Sequence, residues 1–175
     1  VYDGTSGIIN SEGKLELLLN SFEEDFRIFD TNADNKPFDV PFTTYNDRTR
    51  MIYKAACLGL RDYFLKNRYS KACVGLSGGI DSAVVACLAV GALGKENVRV
   101  LLMPSPFSPD QSVEDAKLLA ENLGVEYSVL PIDAAYEAMV ETLKPVIGGT
   151  EFDATEENIQ SRIRTTMLVA LQNKT

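Results

Sequence analysis

From position 71 onward the chain alternates short apolar runs with stretches of helical period, and this alternation constrains its fold more tightly than any other feature. The runs 71–76, 98–103 and 125–132 have the length and composition of buried strands. Each is followed by a helical segment, at 83–93, 108–123 and 133–143. A strand, a helix and a second strand running the same way require a right-handed crossover, which makes a parallel sheet. The expected fold class is α/β, an open parallel sheet with helices on both faces. A chain of 175 residues is long enough to bury such a core.

Local signals set the expected boundaries. Gly94 and Gly124 are placed to end two helices. Ser108 is expected to cap the helix between them, with Pro109 at its first position and Gln111 completing a capping box. Val113, Ala116, Ala120 and Leu123 are its inward face. Asp133 is expected to cap a helix that buries Tyr136, Met139, Val140 and Leu143. Thr155 is expected to cap the last helix, whose apolar stripe is Ile159, Ile163, Met167 and Leu171. Glu156 and Glu157 suit the positive end of that helix. An earlier helix over 46–67 places Ile52, Ala56, Gly59 and Tyr63 on one face, with Ala55 and Phe64 beside them.

The first thirty residues have a different texture. Ile8-Ile9, the run 14–19 and the run 25–30 suggest two or three strands, the first two joined by a Gly-containing hairpin. Residues 31–45 are polar and carry Asn32, Asp34, Asn35, Pro37 and Pro41, the composition of a linker. The expected organisation is a strand-rich piece over 1–30, a linker over 31–45 and the α/β part over 46–175. The chain stops where the alternation would next supply a strand, so the expectation is a truncated domain.

Composition removes several chemistries. There is no histidine, which excludes a Ser-His-Asp triad, a Cys-His pair and every His-containing metal site. The net charge of −8 argues against a sequence-blind nucleic-acid binder. Cys57, Cys73 and Cys87 form no metal-ligand spacing and sit among apolar neighbours, as small core residues do. Sparse, odd-numbered cysteines fit a reducing compartment, and no segment approaches the roughly 18 apolar residues of a membrane span. A cytoplasmic protein without a membrane partner is the expectation.

One short segment carries chemistry. Ser77-Gly78-Gly79-Ile80-Asp81-Ser82 falls between the first parallel strand and its helix, where an open α/β sheet places a ligand. Its glycines let backbone N–H groups approach an anion, and the helix N-terminus adds unpaired donors. Ser77 and Ser82 can donate hydroxyl hydrogen bonds to phosphate oxygens. Asp81 repels phosphate and makes sense there chiefly as a ligand of a bridging Mg²⁺. The segment is neither a Walker A loop nor a GxGxxG fingerprint. The plain alternative is a glycine turn capped by Ser and Asp.

This segment resembles the pyrophosphate loop, Ser-Gly-Gly-x-Asp-Ser, of ATP pyrophosphatases. Two further segments are similar to one branch of them. Met103-Pro104-Ser105-Pro106-Phe107-Ser108, with Asp115-Ala116 and 119–124, resembles the second strand and helix of the NAD synthetases. Glu157-Asn158-Ile159-Gln160-Ser161-Arg162-Ile163-Arg164 resembles their Glu-Asn-x-Gln-x-Arg-x-Arg helix. Asp3-Gly4-Thr5-Ser6, Ser11-Glu12-Gly13 and Phe22-Glu23-Glu24 resemble the final strands of the nitrilase-like glutaminase domain fused upstream in the glutamine-dependent branch.

The resemblance implies an adenine nucleotide alpha hydrolase-like, Rossmann-like fold. It implies ATP-dependent amidation of deamido-NAD to NAD through an adenylated intermediate, with ammonia drawn from glutamine by the upstream domain. By it, Gly75, Leu76, Ser77, Gly78, Gly79, Ile80, Asp81 and Ser82 would cradle ATP, with Asp81 catalytic and bound to Mg²⁺. Asn158, Arg162 and Arg164 would contact deamido-NAD, Asn158 and Arg162 four residues apart on one helix face and Arg164 one step further round. Residues 105–108 would border the adenine or ribose. Leu102 stands where the ammonia-using branch often has arginine, so any adenine contact from there is apolar or through backbone.

No cysteine here matches the glutaminase nucleophile, and the family's Thr-Gly-Asn-Lys-Ser-Glu segment is absent, so the chain alone is expected to be inactive. The resemblance implies a homo-oligomer for the parent protein. The alternatives are another amidotransferase with this loop, such as GMP synthetase, or a non-catalytic nucleotide-binding module.

Overall fold

The computed structural model describes residues 2–31, 47–148 and 153–174. They fall into two compact units, Val1–Tyr63 and Phe64–Thr175. The expected linker over 31–45 lies outside the described residues except for Thr31.

In the first unit, β1 (Gly7–Ile9) pairs antiparallel with β2 (Leu15–Leu18). Asn10 makes the turn: its Oδ1 accepts from the amides of Glu12 and Lys14 at 3.0 and 2.9 Å, and Gly13 takes a φ of 80°. The possible third strand over 25–30 is not formed. Asp25 instead accepts from the Asn20 amide at 3.0 Å, and Phe26 and Ile28 are left 80% and 83% exposed. A short apolar run becomes a strand only where a neighbouring edge accepts its backbone.

The helix α1 (Arg48–Asn67) forms where helical period begins. Its inward face differs from the one the spacing selects: Cys57 is buried, whereas Ile52 and Tyr63 are more than half exposed. Spacing defines an apolar stripe but not whether another element covers it.

The second unit is the expected parallel α/β arrangement. Strands β3 (Ala72–Gly75), β4 (Val98–Leu102) and β5 (Glu126–Val129) lie in that order, all parallel. The crossovers are α2 (Ile80–Leu93) and α3 (Asp110–Leu123), followed by α4 (Asp133–Ile147) and α5 (Ala154–Gln172). Pairing continues past the strand ends, with Leu76 N donating to Leu101 O at 2.8 Å and Leu130 N to Leu102 O at 2.8 Å.

The pleat sorts alternate residues to opposite faces. Toward α5, Leu101 and Met103 join Ile132, Tyr136 and Ile163 in a buried cluster that Cys73 and Leu168 flank. On the other face lie Val98, Val100 and Leu102, all 2% exposed or less. The helices α2 and α3 cover that side and touch each other, and their buried residues are alanines: Ala86, Ala89, Ala92, Ala116 and Ala120. Small side chains let those helices sit close to the sheet.

Three cap expectations are corrected. Ser108 does not cap α3. Its hydroxyl accepts from the Ser105 amide at 2.9 Å and closes the 105–108 turn, while Pro109 takes the cap position without a side-chain bond. Gln111 donates to Asp115 at 2.7 Å instead of completing a capping box. Asp133 is the first residue of α4, not its cap, which is Ile132. The cap of α5 is Asp153: its Oδ1 accepts from Thr155 N at 2.6 Å, and Glu156 Oε2 accepts from Asp153 N at 2.9 Å. That reciprocal pair satisfies two orphan donors, so the longer-reaching carboxylate displaces Thr155 into the helix.

Candidate functional site

The 77–82 segment is held in shape by its own serines. Ser82 Oγ accepts from Ser77 N at 3.1 Å, donates to Gly79 O at 2.9 Å and lies 3.0 Å from Ser77 Oγ. Gly79 N donates to Ser77 Oγ at 3.3 Å. Gly78 has a φ of 83°, in the left-handed region. A Cβ there would lie 2.2 Å from Ser112 O, so the loop backbone rests directly on the first turn of α3. Both constraints demand glycine.

The amides of Ile80, Asp81 and Ser82 open α2 and find no acceptor among the described residues. Free donors at a helix N-terminus next to a glycine turn suit an anion. A cavity of about 350 Å³ meets the loop at Gly75, Leu76 and Ser77. Met103 and Ser108 border it after β4, and Arg164 and Thr165 border it from α5. Gly75 also belongs there for reasons of space, because a Cβ would meet Met103 at 3.2 Å and Leu168 at 3.4 Å.

The α5 residues do not converge on one place. Asn158 and Arg162 are exposed and line a second, more apolar cavity of about 670 Å³ with Ala135, Met139, Ile159 and Met167. Arg164 lines the loop cavity instead. Two residues along an α-helix turn it by about 200°, so Arg164 stands nearly opposite Arg162 and not one step further round. Arg164 Nε donates to Met103 O at 3.0 Å, and burial pushes its pKa down from the usual arginine value. Ser112, Ser161 and Thr165 also line the loop cavity. They carry no motif, but the 161, 164, 165, 168 spacing marks a second face of α5 that sequence inspection passes over.

Asp81 is exposed in the first turn of α2, and no described residue occupies its carboxylate. No group of three or more Cys, Asp or Glu side chains able to hold a metal occurs among the described residues. That donor set fits Mg²⁺ of the kind held by one or two carboxylates, substrate phosphates and water, not an all-protein cage. The cysteines are all free, and burial pushes the Cys73 thiol up against a smaller opposing effect of Arg99, the opposite of an activated nucleophile. No described helix is long and apolar enough to cross a membrane.

Fold and loop define a class: a parallel α/β domain with a serine- and glycine-rich loop between its first parallel strand and helix, at the sheet edge where open α/β folds place ligands. The model of the family described as NAD synthase matches residues 52–175, and the chain belongs to that family. It is 50% identical over 127 residues to a glutamine-dependent NAD(+) synthetase of Thermotoga maritima, covering 73% of this chain and 22% of the relative. It is 41% identical over 180 residues to that of a Synechocystis species, covering 99% and 32%. Among solved structures it is similar to the glutamine-dependent NAD+ synthetase of Acinetobacter baumannii in complex with adenosine diphosphate. The TM-score there is 0.81 at 33% identity, over 99% of this chain and 33% of that one. The chain thus spans a third or less of the length of these relatives.

Proposed function

We propose that this chain forms the nucleotide-binding part of a glutamine-dependent NAD synthetase, which amidates deamido-NAD with ATP. The observation that carries the proposal is the self-braced loop 77–82, with open amides at the start of α2 beside a cavity, in a chain of the NAD synthase family. In the reaction, a carboxylate oxygen of deamido-NAD attacks the α-phosphorus of ATP and pyrophosphate leaves. Ammonia then attacks the acyl carbon, loses a proton and expels AMP.

The residues 75–82 hold the phosphate chain, and the amides of 80–82 stabilise charge building on the departing pyrophosphate. Asp81 would hold Mg²⁺, which supplies charge neutralisation between phosphates when bound. Asn158 and Arg162 hold deamido-NAD in the second cavity. Neither step needs a histidine base, consistent with a chain that has none. Residues 105–108 border the adenine or ribose.

The proposal extends to organisation: 1–30 as the end of a glutaminase domain that supplies ammonia, 31–45 as a linker and 46–175 as the first part of the synthetase domain. Homo-oligomerisation and a cytoplasmic setting accompany it, with no nucleic-acid partner.

The test is NAD formation from deamido-NAD, ATP and ammonia or glutamine by a protein carrying this segment, with one pyrophosphate and one AMP per NAD. Asp81→Asn should abolish turnover and remove the Mg²⁺ dependence of ATP binding. Amidation of xanthosine monophosphate in place of deamido-NAD would assign the chain to GMP synthesis instead. ATP binding with no turnover, unchanged by Asp81→Asn, would leave only a binding module.

A further inference from the structure

The two arginines of the 157–164 motif stand on opposite sides of α5, and their surroundings differ. Arg162 is exposed beside an apolar cavity. Arg164 is half-buried, lines the loop cavity and gives its Nε to the Met103 carbonyl at 3.0 Å. No carboxylate pairs with it among the described residues, and its two terminal nitrogens have no protein acceptor there. A guanidinium stays charged in any protein environment, so partial desolvation without an anion is unfavourable until one arrives. With Nε tied to a backbone carbonyl, the terminal nitrogens remain as a planar fork for two oxygens.

We infer that Arg164 is a ligand of the nucleotide's phosphate chain and not of the dinucleotide acceptor, with the Met103 carbonyl holding its guanidinium in place. The inference rests on the amidation proposed above and divides that site in two. The serine–glycine loop approaches the phosphates from β3 and α2, and Arg164 approaches them from α5. The cavity's other α5 residues, Ser161, Thr165 and Leu168, are uncharged, and Arg164 is the one cation among the described residues lining it.

The experiment measures binding of MgATP, tripolyphosphate and adenosine, and the KM values for ATP and deamido-NAD, in a protein carrying this segment. Arg164→Gln should weaken MgATP and tripolyphosphate binding about tenfold or more, with adenosine binding and the deamido-NAD KM changed less than about twofold. Arg164→Lys keeps the charge but not the fork, and should recover part of that loss. It also serves as the second variant if Arg164→Gln does not fold. Equal weakening of adenosine and MgATP would reduce Arg164 to a strut for the 103–108 segment, and a rise in the deamido-NAD KM alone would return it to the acceptor side. Either result, or unchanged tripolyphosphate binding in both variants, overturns the assignment. Tripolyphosphate binding that needs Arg164 in a protein making no NAD would keep the assignment and sink the amidation.

Discussion

The two sides of α5 share one helix and one buried seam, yet they present different chemistry. One side meets the braced loop, with Arg164, Thr165 and Ser161 opposite Gly75 and Ser77. The other side, with Asn158 and Arg162, faces an apolar hollow against α4 residues Ala135 and Met139. Between them Ile163 is buried against Leu101, Ile132 and Tyr136. A helix laid over a sheet can thus border two cavities at once, one on each flank of its buried stripe. The proposed reaction needs that geometry, because a phosphate chain and a carboxylate acceptor must be held separately and then brought into line.

The strongest way to break this contrast is at Gly78. Replacement by valine introduces a side chain at a φ of 83° and within 2.2 Å of the Ser112 carbonyl oxygen. A loss of roughly 2–4 kcal/mol in urea unfolding is expected, together with loss of MgATP binding. A stable variant that still binds ATP would show that the loop does not depend on resting against α3. Next is Ile163→Ala, which removes the shared seam. It should cost about 2–4 kcal/mol and raise the KM of both substrates together, since both flanks lose their backing. An effect on one substrate alone would mean that the flanks are supported separately.

Arg162→Gln is the mirror of the Arg164 experiment. The deamido-NAD KM should rise about tenfold while the ATP KM stays within about twofold. A smaller effect is expected of Ser82→Ala, which deletes the acceptor of Ser77 N and the donor to Gly79 O. It should weaken MgATP binding by about 0.5–1.5 kcal/mol and leave deamido-NAD untouched.

The smallest effect concerns the start of α5. Hydrogen bonding from the Thr155 backbone amide holds the Asp153 carboxyl below its ordinary value near 3.8. A carboxyl with a lowered folded pKa stabilises the fold above its unfolded pKa and loses that contribution as pH falls through the folded value. Helicity of α5 should therefore weaken only at pH values below about 4. Asp153→Asn, which still accepts the Thr155 bond, should remove that acid sensitivity in circular dichroism.

Much of the second unit was legible beforehand, for reasons that are local. Buried strands such as 98–102 read as continuous apolar runs because both faces are covered, and Gly124 stops α3 with a φ of 66° that other residues resist. The loop at 77–82 was legible as a tight turn because its glycines and serines stand at fixed spacing, with Gly78 at a φ of 83° and Ser82 bonded to Ser77 N and Gly79 O. Caps were read less well. Ser108 and Thr155 have the chemistry of a cap, but the Ser108 hydroxyl accepts from the Ser105 amide and the Thr155 amide donates to Asp153, while Asp133 falls one residue past the cap position. On α1, Ile52 and Tyr63 share an apolar stripe by spacing, yet both are more than half exposed.

The amino-acid sequence by itself determined the parallel α/β order, the place of the glycine–serine loop at the end of the first strand and the apolar stripe of the last helix. These follow from periodicity and backbone freedom, which act over a few residues. Only the tertiary structure decided that Gly78 must lie against Ser112, and that Arg162 and Arg164 belong to different cavities. The first depends on how α3 packs beside the loop, and the second on which way α5 is rolled on the sheet. That roll is set by the burial of Ile163 against residues 27 to 62 positions away, from Tyr136 to Leu101, a contact that spacing along the chain cannot reveal.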